Sequence, residues 1–101
     1  MATTPEGKIK TKLDRMLKAY NVWYYSPQAG PHGRAGIPDR IAIVAGRFVG
    51  IECKADKTKK PTALQVKAMN EIEHAGGKCF LVYDDETIAE VREFIIEWLS
   101  L

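Results

Sequence analysis

Apolar residues near the start of the chain recur every three or four positions, which is the spacing of one face of an α-helix. Thr4-Pro5 precedes this stretch, as an N-cap residue followed by a proline in the first turn. The pattern predicts an amphipathic helix that ends at about Tyr20. Its apolar face consists of Ile9, Leu13, Met16, Leu17 and Tyr20.

Four apolar or β-branched runs predict strands, and breaker residues separate them. Two of the runs are joined by Gly46-Arg47, a two-residue connection with glycine first, as in a type II′ hairpin. Ser26–Pro38, which contains three glycines and three prolines, predicts a long loop before the hairpin, and such loops in compact domains are often functional. The predicted strands are Val22–Tyr25, Asp39–Ala45, Phe48–Lys54 and Cys79–Tyr83.

Two further helices follow from capping signals and apolar spacing. Thr62 caps a helix that ends before Gly76-Gly77, and the last helix starts near a Thr87-x-x-Glu90 capping box. The apolar run between them is typical of a strand buried on both faces, and a strand–helix–strand crossover pairs its strands in parallel. The sequence therefore predicts one α/β domain over residues 1–101, a mixed sheet flanked by helices in the order αβββαβα. The apolar side of the second helix is predicted to be Leu64, Ala68, Ile72 and Ala75.

Composition places the 101-residue chain among ordinary globular domains, with 46% hydrophobic and 28% charged residues. No apolar run approaches the ~18–20 residues that span a bilayer, and the polar start does not resemble a signal peptide. We therefore expect an intracellular, cytoplasmic protein without a membrane partner. Cys53 and Cys79 form neither a disulfide framework nor a paired metal-ligand spacing, so we expect two small core residues.

Charge is distributed unevenly along the chain although the net charge is only +2. Residues 1–60 contain 12 lysines and arginines against 5 acids, whereas residues 61–101 contain 3 against 8. A basic first half suits phosphate binding, and a plain solvated surface is the alternative interpretation.

The predicted hairpin brings two acids and a lysine together. Its turn makes Asp39 face Lys54, and strand alternation places Glu52 on the same face, with the two acids ~7–8 Å apart. Cys53 directs its side chain to the other face, while its carbonyl oxygen stays near the acids. Oxygen ligands of this kind predict a hard cation, Mg²⁺ or Mn²⁺.

Phosphodiester hydrolysis is the chemistry that suits this cluster. A cation held by the carboxylates polarises the phosphate and lowers the pKa of bound water, and Lys54 would position that water and offset developing negative charge. The alternative is a surface ladder of opposite charges across the hairpin, which contributes about 0.2–1 kcal/mol.

Two short motifs resemble a known nuclease signature. Gly36-Ile37-Pro38-Asp39, followed by Ile51-Glu52-Cys53-Lys54, is similar to the Pro-Asp and Glu-x-Lys signature of the PD-(D/E)XK nuclease superfamily. With Glu6 on the first helix, the loop from Gly33 to Asp39, and Gln65 at the start of the second helix, nearly the whole chain resembles the VRR-Nuc (virus-type replication-repair nuclease) family in its short stand-alone form.

The resemblance implies a metal-dependent DNA nuclease with a restriction-endonuclease-like core. From the residues alone, Glu6 could equally stabilise the helix N-terminus, and Gln65 could be a solvated first-turn residue. The catalytic residues that the resemblance implies are Glu6, Asp39, Glu52, Lys54 and Gln65, and the metal ligands are Asp39, Glu52, the Cys53 carbonyl and, directly or through water, Glu6.

The resemblance also implies a substrate and an assembly. Stand-alone members are implied to act as homodimers on branched DNA, notably four-way (Holliday) junctions, and the family suggests a phage or viral origin. Whether a helicase or other replication partner targets the protein to DNA stays an open question. The alternatives are a flap- or end-processing nuclease and a DNA-binding module that does not cut.

Several other residues are weaker candidates. His32 in the long loop could contact DNA or transfer a proton, or simply be solvated. Trp23, Tyr24, Tyr25 and Trp98 are expected in the core or a dimer interface rather than as base-stacking platforms. Phosphate contacts that carry no sequence information are expected from Arg34, Arg40, Lys57, Lys59 and Lys60.

Overall fold

The computed structural model describes residues 3–28 and 33–101. His32, singled out above, lies outside these residues. In the described residues, seven elements occur in the predicted order αβββαβα. They are α1 (Pro5–Ala19), β1 (Trp23–Tyr25), β2 (Arg40–Val44), β3 (Arg47–Cys53), α2 (Ala63–His74), β4 (Lys78–Val82) and α3 (Asp85–Leu99).

The four strands form one mixed sheet in the order β1-β2-β3-β4. The first three strands pair antiparallel, and β3 pairs with β4 in parallel through the α2 crossover. The predicted mixed sheet is confirmed. This topology places the carboxyl end of β3 in the middle of the sheet, beside the start of β2.

One face of the sheet packs against α1 and α3. Leu13 and Leu17 of α1 are fully buried in the same cluster as Ile51 of β3 and Ile95 of α3. Full burial of a side chain of this size contributes about 1.5–3 kcal/mol. The apolar stripe predicted for the first helix is confirmed, because Ile9, Leu13 and Leu17 are buried and Met16 and Tyr20 pack against them. Cys53 is also a buried core residue as expected, whereas Cys79 is only half-buried.

The hairpin register differs from the predicted one. Val44 pairs with Arg47, so the two-residue turn is Ala45-Gly46 rather than Gly46-Arg47. Ala45 and Gly46 both have positive φ, 50° and 82°, as in a type I′ turn, whose twist matches that of the flanking strands. The register brings Asp39 level with Glu52 instead of Lys54, because Arg40 pairs with Ile51.

The shift of register leaves the predicted faces intact. Each residue of β2 pairs two positions earlier along β3 than predicted, and side chains alternate with a period of two. Asp39, Glu52 and Lys54 therefore still share one face, and Cys53 still points into the core with Val49.

Three other predictions on the helices and strands are corrected. The last helix begins earlier than Thr87, because Asp84 is its N-cap and forms the capping box with Thr87. The fourth strand is not buried on both faces: only Val82 is fully buried, because β4 is an edge strand. The predicted apolar side of α2 is largely exposed, since Leu64 has 55% of its surface accessible and only Ala68 is buried.

The second face of the sheet is covered only in part. Ile72 of α2 lines, with Ile41, an open groove of about 660 Å³ on this face. Trp23, Ile43 and Phe48 are cross-strand neighbours on the β1–β2–β3 half, and their exposed fractions are 60%, 46% and 42%. In the part of the chain that the structure describes, no helix is both long and apolar enough to cross a membrane.

The Ala45-Gly46 turn yields a stability prediction. Ala45→Asn is expected to stabilise the protein by about 0.5–1 kcal/mol, because asparagine tolerates positive φ better than alanine does. Thermal unfolding should therefore shift upward by about 4 °C for a domain of this size. Ala63→Asn, at the exposed first position of α2, is the matched control and should leave stability nearly unchanged, because Ala63 does not have a positive φ. A lower unfolding temperature for Ala45→Asn would contradict the turn assignment.

Candidate active site

The candidate site lies where the start of β2, the end of β3 and the N-terminal turns of two helices meet. Asp39 directly precedes β2, and Glu52 and Lys54 lie at the carboxyl end of β3. Gln65 lies in the first turn of α2, and Glu6 lies in the first turn of α1. These are the residues that the sequence singled out as catalytic.

Asp39 is held by both its backbone and its side chain. Its Oδ2 accepts a hydrogen bond from the Cys53 backbone N–H at 2.8 Å, which continues the pairing of β2 with β3. Arg40 donates from Nη1 to the Asp39 carbonyl at 2.9 Å and forms a two-point ion pair with Asp14 of α1, at 2.8 and 3.1 Å. The Asp39 backbone is thus fixed against α1.

Glu52 is an acid buried at the end of an apolar strand, with 2% of its surface exposed. Its Oε2 accepts a hydrogen bond from Gln65 Nε2 at 2.7 Å and lies 3.4 Å from Lys54 Nζ. Its Oε1 is buried and has no hydrogen-bond partner among the described residues. Burial, followed by the negative charge of Asp39, raises the pKa of Glu52 to about 7.

Gln65 caps the N-terminus of α2 and also binds the acid and the lysine of the site. Its Oε1 accepts from the Thr62 backbone N–H at 2.8 Å, and the Thr62 hydroxyl accepts from the Gln65 N–H, which completes a capping box. The same Oε1 accepts from Lys54 Nζ at 2.9 Å while Nε2 donates to Glu52. The side chain that caps the N-terminus of α2 therefore also orients Glu52 and Lys54, so it is not a merely solvated residue.

The loop before Asp39 packs closely on the start of α2. A Cβ at Gly36, where φ is +79°, would lie 2.3 Å from the Leu64 carbonyl oxygen. Only glycine permits this approach and this backbone conformation without strain. Pro38, which is buried, covers Gly50 of β3 in the same way, with a Cβ there 2.9 Å from the proline ring. These contacts fix the path of the backbone from the loop to Asp39.

Lys10 is a site residue that the sequence reasoning missed. Its Nζ lies 3.2 Å from Glu6 Oε2 and 3.6 Å from Asp39 Oδ1. Burial alone lowers the pKa of Lys10, but the charges of Asp39 and Glu6 outweigh it and raise the pKa above its ordinary value. The available signal was the four-residue step from Glu6, which places both side chains on one face of α1.

Glu6 lies at the rim of the site, with its side chain 40% exposed, and Lys10 links it to Asp39. Among residues 3–28 and 33–101, no three histidine, cysteine, aspartate or glutamate side chains are grouped so that they could hold a metal ion. The oxygen donors that fit a hard cation are the Asp39 and Glu52 carboxylates and the Cys53 carbonyl. The buried and unpartnered Glu52 Oε1 favours such a cation, because a lone buried carboxylate oxygen is costly.

The residues predicted to contact phosphates differ in their surroundings. Arg34 is exposed and pairs with Glu71 of α2 at 2.8 Å. The Arg40 side chain is 13% exposed and engaged by Asp14, so it serves the packing of α1 in this structure. Its contact with phosphate, like that of the others, stays a prediction. The exposed lysines of the segment after Lys54 are Lys57, Lys59 and Lys60.

Comparison with known proteins supports the predicted fold. A solved structure described as a VRR_NUC domain is similar to this chain, with a TM-score of 0.80 and 23% sequence identity. The likeness covers 89% of this chain and 96% of that chain. No protein-family model matches the sequence, and no curated protein matches it. At this identity the likeness shows the fold, so the predicted restriction-endonuclease-like core and the resemblance to VRR-Nuc are confirmed at the level of fold.

The raised pKa of Glu52 predicts a pH-dependent stability for the metal-free protein. The ordinary glutamate pKa is 4.5 and the folded pKa is about 7, so the native state binds this proton more tightly than the unfolded state. Stability should therefore fall as pH rises from about 4.5 to about 7, by up to about 3 kcal/mol at roughly 1.4 kcal/mol per pKa unit.

Urea unfolding in EDTA across this pH range is the measurement, with Glu52→Gln as the comparison. The variant keeps the shape of the side chain but cannot ionise, so it should lack this part of the pH dependence. Carboxylates remote from Glu52 titrate in both proteins and cancel in the difference. Parallel curves for the two proteins would contradict the assignment.

Proposed function

We propose that this chain is a metal-dependent DNA nuclease that hydrolyses phosphodiester bonds. The observation that carries the proposal is the setting of the Glu52 carboxylate: Gln65 and Lys54 engage its Oε2, Asp39 lies level with it across the hairpin, and its Oε1 is buried without a partner among the described residues. A surface ladder of opposite charges does not explain an acid that is 2% exposed. The similarity to a VRR_NUC domain supports the same function.

Asp39, Glu52 and the Cys53 carbonyl would hold a Mg²⁺ or Mn²⁺ ion. When bound, such an ion supplies polarisation of the scissile phosphate and a lowered pKa for its water ligand. Lys54, whose Nζ donates to Gln65 and lies beside Glu52, would donate to the phosphate as negative charge develops there. Gln65 would hold the side chains of Glu52 and Lys54 in position through its two hydrogen bonds. Glu6 would bind the ion at the rim of the site, directly or through water.

Exposed basic residues near the site would bind the DNA backbone. Lys57, Lys59 and Lys60 lie in the segment between Lys54 and α2 and are exposed. Arg34 would exchange its ion pair with Glu71 for a phosphate. Such contacts position DNA without reading its sequence and weaken with salt. Arg40 would contribute mainly by fixing the Asp39 backbone.

Branched DNA, in particular the four-way junction, is the substrate we favour. A homodimer would present two sites related by a two-fold axis, which suits a two-fold symmetric junction. The exposed neighbours Trp23, Ile43 and Phe48 support a self-association surface, because large contiguous apolar patches typically mark interaction sites.

Cleavage of a labelled DNA panel tests the activity. The panel contains a four-way junction, a flap, a duplex and a single strand, each with Mg²⁺, Mn²⁺ or EDTA. We expect symmetric nicks in the junction that disappear in EDTA and in Asp39→Ala, which controls for contaminating nuclease. Lys54→Ala should cut at least about 100-fold more slowly, because it loses a donor to the transition state, while its DNA affinity stays within about threefold.

Other results of the cleavage assay would assign a different activity or refute the proposal. Cutting confined to flaps or ends would assign an end-processing nuclease. Binding without metal-dependent cutting of any substrate would mean a DNA-binding module and would refute the catalytic role of the site. An equal loss of cutting and binding in Lys54→Ala would contradict its transition-state role.

Sedimentation tests the assembly. We expect a dimer for the unaltered protein and a monomer for Ile43→Glu, because the new charge would be buried in the proposed interface without a partner. Ile96→Glu on α3, at a residue exposed to a similar degree (41% against 46%), is the matched control and should remain dimeric. Monomers with and without junction DNA would remove the basis of the two-site model.

A further inference from the structure

The ammonium group of Lys10 bridges two carboxylates at the candidate metal site. Its Nζ lies 3.2 Å from Glu6 Oε2 and 3.6 Å from Asp39 Oδ1. Glu6 and Lys10 are one turn apart on α1, and Asp39 directly precedes β2. Lys10 therefore joins the rim of the site to one of its proposed ligands.

The two oxygens of Asp39 have different partners. Oδ2 accepts from the Cys53 backbone N–H at 2.8 Å, whereas the contact with Lys10 is made by Oδ1. The Cys53 backbone N–H thus holds one carboxylate oxygen, and the oxygen left for a cation is the one that Lys10 faces. A positively charged group already lies on the side of Asp39 that a metal ion would approach.

Lys54, the other lysine of the site, is placed differently. It donates to Gln65 at 2.9 Å and its side chain is 13% exposed. The side chain of Lys10 is 31% exposed, and both of its partners are acids. A lysine on a flexible four-carbon stem at the rim of a site can move away with little repacking, whereas Lys54 is tied to the first turn of α2.

We propose that Lys10 is a built-in counter-ion of the metal site that a divalent cation must displace from Asp39. In the metal-free protein its positive charge offsets that of the acids, and on metal binding the two cations repel each other. Lys10 thereby stabilises the metal-free fold and weakens the affinity for metal. This inference rests on the proposed function in that Asp39 and Glu52 hold a cation.

Metal binding measured directly, without any DNA, tests the proposal. Mn²⁺ affinity is determined by calorimetry and by electron paramagnetic resonance for the EDTA-stripped protein, for Lys10→Met and for Lys8→Met. Exposed ion pairs are worth up to ~1 kcal/mol each, so losing two competing pairs should tighten Mn²⁺ binding by about three- to tenfold in Lys10→Met. Lys8, on an exposed part of the same helix, is the control and should change the affinity by less than about twofold.

Two further readouts follow from displacement. Acetylation of Lys10 by an amine-reactive ester, measured by mass spectrometry, should rise when Mn²⁺ is added and stay unchanged for Lys8. The metal-free Lys10→Met protein should unfold at a lower temperature than the unaltered protein and gain more from Mn²⁺. Lys10→Gln, which keeps a polar side chain, should behave in the same way and guards against a packing effect of methionine.

The possible results separate this inference from the proposed function. If the unaltered protein binds Mn²⁺ and Asp39→Ala does not, the metal site stands. An unchanged or weaker affinity in Lys10→Met would then overturn the counter-ion role alone. If no Asp39-dependent binding occurs in any variant, both the metal site and the role of Lys10 are overturned.

Discussion

The site is organised around one buried acid at the end of an apolar strand. Glu52 continues a strand whose alternate residues, Val49, Ile51 and Cys53, fill the core, and its own carboxylate is almost inaccessible to water. Removing a carboxylate from water is costly unless donors compensate it. Gln65 and Lys54 supply donors to one oxygen, while the other oxygen has none among the described residues. The acid therefore binds a proton more tightly than an ordinary glutamate does, and its unpartnered oxygen is where we propose that a cation binds.

The groups that compensate Glu52 also hold the fold together. Gln65 caps α2 through Thr62 while it binds both residues of the Glu-x-Lys motif. On the other side, Arg40 ties the backbone of Asp39 to Asp14 of α1. Two helices are thus anchored by the same hydrogen bonds that set the site, so the geometry of the acids is supported by rigid elements rather than by a loop.

The arrangement of the sheet divides the molecule into a closed side and an open side. The face covered by α1 and α3 contains the fully buried core, whereas α2 covers the second face only near β4 and leaves Trp23, Ile43 and Phe48 exposed. The open half adjoins a groove that reaches Asp39. A surface that binds another molecule would therefore lie next to the acids, on the face that they share.

Local signals in the sequence determined the elements and the faces of their side chains. Capping residues and apolar periods located α1, the hairpin and the crossover, and alternation placed Asp39, Glu52 and Lys54 on one face even though the turn was assigned one residue too late. Tertiary structure alone decided that β4 lies at an edge and that Lys10 faces Asp39, since neither depends on neighbours in the chain. It also decided the burial of Glu52 and the double role of Gln65. Periodicity reports which side of an element is apolar, but the distance between two elements follows from packing, which no short stretch of sequence encodes.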